Sequence, residues 1–392
     1  MRREIPVPSN RILSNCHRLF TARIFCGALA LIFSVGASAP VQAETREFMV
    51  KWFLEAANAL PNDTDCPDGL NGSAEEMVRK QLMAVGNSAE EIEYLVSRIN
   101  GGASPPDVQE ALVFRGRVDG KPTHVYTYPT SVPDLKLWKQ NKGPYVFGFN
   151  LDGKVRSADF IDPDTNERGV DNAYWRVAGC QVNQRGSRKE VPAYGARHWD
   201  LARDKQPAWL LRIVADDFTK DGDVTVHIYR AMERAPRDGA GDMRRYWTFR
   251  RDPDMRWQNT LTGKIKDGVI HVTADHMEML GDPFGVTNFR VRTAHLRAYF
   301  NPDGSLEAVL GGYVPWKTLF FQGSSGAYNF EFMAGTNVPA LFYALRDGAD
   351  ASPDPKTGKN TEISTAWRIE GVQAFIVESA QSAVADDALR KK

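Results

Sequence analysis

The sequence predicts a mainly β protein: an antiparallel β-sandwich, jelly-roll-like or related, with an α-helical N-terminal cap and a short helical C-terminal segment. Three observations lead there. From residue 105 to about 315, most apolar residues alternate or form short runs bounded by Gly, Asp and Asn. No helical period lies between those runs, which disfavours a parallel βαβ sheet. Turn chemistry separates them, as in Asp267-Gly268 and Asn301-Pro302-Asp303-Gly304.

Taken in order, residues 1–43 read as a secretory leader. Arg2, Arg3, Arg11, Arg18 and Arg23 precede or flank the apolar run "IFCGALALIFSV". That run is shorter than the ~20 residues a membrane span requires, and "VQA" at 41–43 is a small-x-small cleavage site. Cleavage would remove five arginines and Glu4, leaving 44 basic against 48 acidic side chains. A mildly acidic chain is a poor fit to nucleic acid or an anionic membrane surface. No second long apolar run follows, so no transmembrane segment is expected after cleavage.

The leader also carries off Cys16 and Cys26 and leaves Cys66 and Cys180. An exported chain with two cysteines predicts one disulfide between them. Closing so long a loop is worth ~4–5 kcal/mol in the chain-entropy picture.

Residues 44–104 are expected to form the helical N-terminal region. In "TREFMVKWFLEAANAL", Phe48, Trp52, Phe53, Ala56 and Leu60 share a helical face. Ser73 with Glu76, and Ser88 with Glu91, have capping-box spacing and open helices over about 74–85 and 89–99. Residues 105–335 are the β body. Within it, Val224, Val226 and Ile228 point one way and Thr225, His227 and Tyr229 the other. Residues 336–392 return to helix in "VPALFYALRDGAD", with a last strand or two in "AWRIEGVQAFIV" and a frayed tail.

Four stretches are candidates for chemistry, one of them "RRYWTFRRDPDMRWQN", whose interleaved arginines and aromatics could bind acidic glycans or single-stranded nucleic acid or could simply divide between core and solvent. In "DPDTNERGVDNAYWRVAGC", Asp162, Asp164, Asn166, Asp171 and Asn172 crowd five oxygen-bearing side chains together. Calcium takes six to eight oxygens and is the ion this stretch suggests. Asp162, Asp164 and Asn166 copy the start of an EF-hand, but Glu167 and Ala173 occupy its glycine and glutamate positions. Asp152 and Asp159 are possible additions. The competing reading is Asx turns that lead into a strand at "AYWRV". Along 290–300, Thr293, His295, Arg297 and Tyr299 share the face opposite Ala294, Leu296, Ala298 and Phe300. His295, Arg297 and Tyr299 are therefore candidate ligand-binding residues. "HVTADHMEM" gathers His271, Asp275, His276 and Glu278, without zinc-motif spacing.

Several catalytic classes lack their motif. "FQGSSGAY" is not a nucleophile elbow, "TGKN" is not a phosphate loop, and no Cys-x-x-Cys occurs. No catalytic residue is assigned. The sequence favours an exported periplasmic or extracellular module binding a carbohydrate or small molecule. A secreted hydrolase acting on glycans or esters is the alternative, and a structural cell-envelope protein the third.

Overall fold

The computed structural model describes residues 43–187, 192, 195, 199–200, 203–279, 289–324 and 327–379. The expected leader and the tail beyond residue 379 lie outside the described residues.

The described part starts with β1 (Glu44–Glu55), then α1 (Ala74–Ala84), α2 (Ala89–Val96) and α3 (Pro106–Val113). Two small hairpins follow, β2 (Gly116–Val118) with β3 (Lys121–Thr123), and β4 (Phe160–Ile161) with β5 (Arg168–Val170). Helix α4 (Ala173–Ala178) precedes β6 (Pro207–Ala215), β7 (Gly222–Arg234), β8 (Trp247–Arg250), β9 (Gln258–Lys266), β10 (Val269–Met279), β11 (Phe289–Phe300) and β12 (Leu306–Pro315). Three helices come next: α5 (Trp316–Ser324), α6 (Ala327–Ala334) and α7 (Val338–Gly348). Short β13 (Ala351–Pro353) and the long β14 (Asn360–Val377) end the description.

The expected sandwich is corrected to a closed barrel. Eight antiparallel strands run in the order β1-β6-β7-β9-β10-β11-β12-β14, and β14 pairs back onto β1. Strands of a sandwich and of a barrel alternate alike, so alternation does not separate the two; closure does. The closing strand is the one whose pattern reads as helix. A bulge between Val50 and Trp52 inserts an extra residue into β1. It converts the alternation of Phe48 and Val50 into the four- and five-residue spacing of a helical face. The N-terminal cap expected over residues 44–60 is therefore barrel wall through Glu55.

Several local readings hold. Val224, Val226 and Ile228 point into the barrel, as do Ala294, Leu296 and Ala298. Asp267 and Gly268 both take positive φ, as a two-residue hairpin turn demands. Ser88 and Glu91 form the full capping box, and Ser73 caps α1 through the amide of Glu76.

The barrel interior is packed with apolar side chains. Phe53 stacks on Trp367, and Phe289 meets the same indole edge-on. Trp316, Leu319, Phe320, Leu341 and Leu345 from α5 and α7 join this core. Helices α1–α3 bury a second cluster, Val78, Leu82, Ile92, Leu95, Val108 and Leu112, with Tyr328 of α6. Beside it lies a fully buried ion pair, Arg115 to Glu331 at 2.7 Å. Tyr126 and Asn337 also donate to that carboxylate, which leaves neither charge unsolvated by polar partners.

Residues 124–187 cover part of the barrel's outer wall with little regular structure. The disulfide ties this cover down: Cys66 and Cys180 are bonded, with Cα atoms 5.8 Å apart. Gly311 matters here, because a Cβ would lie 2.5 Å from the Phe149 ring. The bare backbone of β12 lets that ring lie on the wall. Among the described residues, no helix is long and apolar enough to cross a membrane.

Candidate functional site

The structure sends the five acid and amide side chains of 162–172 to separate tasks. Asp162 is fully buried. One of its oxygens accepts from the amides of Asp164 and Thr165, and the other from Gly148 and from Arg297 at 2.6 Å. Asp164 and Asn166 are exposed on the turn, with Asn166 at φ 59°. Asn172 is the N-cap of α4, accepting from the Trp175 amide. "AYWRV" is accordingly helix rather than the expected strand; the cap at Asn172 is the signal that a strand reading passes over. Asp171 faces the other way, into a cleft. Among the described residues, no group of three or more His, Cys, Asp or Glu is placed to hold a metal ion.

His295, Arg297 and Tyr299 do share the outer face of β11. The cover lies over that face at the first two. The Phe149 ring stands 5.5 Å from His295 and 5.2 Å from the Arg297 guanidinium. Arg297 is 8% exposed and committed to Asp162. Tyr299 donates to Glu307 of β12. His271 lies opposite Arg297, whereas His276 lies opposite Arg292. Five residues along one strand separate these two histidines by roughly 16 Å.

A cleft of about 860 Å³ opens between the cover and the α7–β14 connection. Its centre is built by four elements. Asp171 follows β5. Tyr313 stands near the end of β12, on the outward side of the alternation that turns Leu306, Ala308 and Leu310 inward. Asp350 comes from the short link between α7 and β13, and Asp152 from the cover.

Each of these groups is held differently. Asp171 Oδ2 accepts from the amides of Leu151 at 2.8 Å and Asp152 at 3.2 Å, and Oδ1 makes no hydrogen bond among the described residues. Burial raises its pKa to about 6, and the charges of Asp152 and Asp350 add to the shift. Asp350 accepts from the amide and hydroxyl of Ser364, and burial raises its pKa as well. Asp152 is held below the usual carboxylate range by Arg156, 2.5 Å away. Tyr313 is 7% exposed, and its ring lies 4.6 Å from the Arg292 guanidinium. Its hydroxyl has no hydrogen-bond partner among the described residues and lines the cleft. Burial and the three carboxylates push its pKa up, so it stays a neutral donor and acceptor.

Sequence reasoning flagged Asp171 and Asp152 as possible ligands of an ion and missed Tyr313, Asp350 and Ser364. The alternation of β12 already points Tyr313 outward. No sequence signal brings the residues around Asp350 beside it, because that neighbourhood depends on the β12–β14 pairing.

No protein-family model matches this chain, and no match was found among curated proteins or solved structures.

Proposed function

We propose that the protein is exported and binds a hydroxyl-rich ligand of the carbohydrate class in this cleft. One observation carries the reading. Tyr313 is nine-tenths buried, yet its hydroxyl is unbonded and turned into a cavity rather than into the protein. The hydroxyl itself is open to the solvent of the cleft rather than sealed in the protein. Such a group is stable where water, or a ligand that displaces it, completes its hydrogen bonds. The unbonded Asp171 Oδ1 beside it supplies an acceptor. The cleft volume falls within the range of small-ligand sites.

The test is calorimetric titration of the protein with a panel of neutral and charged oligosaccharides. Binding that disappears in Tyr313→Phe supports the reading; a panel without a single binder sinks it. Export is supported by the leader-like N-terminus and agrees with the disulfide. It predicts a mature protein, periplasmic or extracellular, beginning at Glu44 by mass spectrometry.

A second reading, a secreted hydrolase, is favoured by a specific pairing. Asp171 is raised to about 6 while the adjacent Asp152 is held low. Carboxyls pushed apart in this way are what acid–base cleavage of a glycoside requires. New reducing ends released from an oligosaccharide, and lost in Asp171→Asn, would establish it. Binding without turnover would leave the binding module.

A further inference from the structure

The cations around the cleft are spent. Arg156 is paired with Asp152 and reaches Asp159. Lys142 is paired with Asp68. Arg176 gives its nitrogens to the carbonyl oxygens of Asn141, Gly143 and Ala158, and its guanidinium lies 3.5 Å from the Phe160 ring. Asp347, at the rim, is met by Lys136 and Arg346. Asp171 and Asp350 remain, and among the described residues no ion pair reaches either.

The neutral Tyr313 hydroxyl, without a hydrogen-bond partner among the described residues, lines the same cleft. Its neighbours Asp152, Asp171 and Asp350 are close enough to shift it electrostatically. Among the described residues, no group of three His, Cys, Asp or Glu is gathered for a metal ion. The space they share is larger than a metal site, negative, and furnished with oxygen acceptors. An ammonium group has three donors and one positive charge, and this is the group such a space receives best.

We propose that the ligand of this cleft carries a protonated amine, which makes the substrate class an amino-sugar chain rather than a neutral or acidic one. In this arrangement the amine sits between Asp171 and Asp350 with Tyr313 Oη as a further acceptor. The inference rests on the carbohydrate reading above and deepens it.

Three trimers of similar shape separate the two ideas: the glucosamine trimer, its N-acetylated form and the glucose trimer. Acetylation removes the charge and leaves the ring. Calorimetry on the purified protein near pH 6.5, where the amine is protonated, is expected to show the glucosamine trimer binding on the order of tenfold or more tighter than the other two. Asp350→Asn and Asp171→Asn are each expected to erase that preference, so that the three trimers bind within about twofold of one another. Equal affinity for all three trimers, or a preference for the acetylated one, overturns the inference and leaves the carbohydrate reading standing. Failure of all three to bind overturns both. The comparison of the three trimers on the unaltered protein decides the matter even where a variant fails to fold.

Discussion

Leu296 and Arg297 are neighbours in sequence and belong to two different regimes. Leu296 points into the barrel, where stability comes from many interchangeable apolar contacts. Arg297 points out, under the cover, where a few point interactions hold an irregular chain against the wall. The barrel is specified by a period repeated over eight strands. The cover is specified by particular atoms: a disulfide, buried ion pairs such as Asp162 with Arg297, and side chains such as Asn172 and Arg176 that satisfy stray backbone groups. A wall built by repetition tolerates conservative change. A cover built by single contacts does not, and it carries the cleft.

The largest expected effect tests the wall. Trp367 is 2% exposed and meets Phe53 and Phe289 in the barrel. Trp367→Ala should cost ~3–5 kcal/mol by denaturant titration. Trp367→Phe should recover most of that loss. If Phe rescues nothing, the interior depends on shape as finely as the cover does, and the contrast breaks.

Next comes the buried pair in the cover. Asp162→Ala strands the Arg297 charge and leaves the Gly148, Asp164 and Thr165 amides without their acceptor, a loss of ~3–5 kcal/mol. Adding Arg297→Met removes the stranded charge and should restore part of the stability. A double variant no better than the single one would show that the backbone amides, not the charge, dominate. Replacing Cys66 and Cys180 together by serine should cost ~2–4 kcal/mol. Because Cys180 closes the segment after α4, ligand affinity should fall along with the melting temperature. An unchanged affinity would show that the cleft is organised independently of the bridge.

How far the sequence foretells each regime follows from the same contrast. Repetition is legible. The inward set Val224, Val226 and Ile228 needs only its own strand to be read, and so do the turn at Asp267-Gly268 and the caps at Ser73 and Ser88. The disulfide is legible from counting, since two cysteines allow one pairing. Closure is not legible, because one bulge in β1 changes its period and hides the strand that completes the ring. The cleft is half legible. Asp171 and Asp152 stand out as acids in a crowded stretch, but their sequence neighbours Asp162 and Asp164 face elsewhere. Their working partners Tyr313 and Asp350 arrive from the far side of a strand pairing. Crowding in sequence does not by itself say which side chains converge in space.

The smallest effects come from two carboxyls that burial raises, one in each regime. Glu55, at the end of β1, is 8% exposed with Oε2 unpaired among the described residues, and its pKa rises to about 7. Asp171 in the cleft is half-buried and rises to about 6. Both folded values lie above the unfolded ones, so the native state holds protons that the unfolded chain has released. Their contributions therefore favour folding at low pH and are lost as pH climbs, from about 4.5 to 7 for Glu55 and from about 4 to 6 for Asp171. Melting curves across pH should show Glu55→Gln stabilising the protein by up to about 3 kcal/mol at pH 8, with little change at pH 4. Asp171→Asn should flatten the curve only between pH 4 and 6, by under ~1 kcal/mol, because solvent in the open cleft screens it. The difference in size is the informative quantity. A carboxyl closed in beside the wall has no way to recover its solvation, whereas one left open to a cleft waits for a ligand to supply it. Equal slopes for the two would mean that the cleft is as dry as the protein's interior, and the argument for a ligand drawn to Asp171 would lose its electrostatic footing.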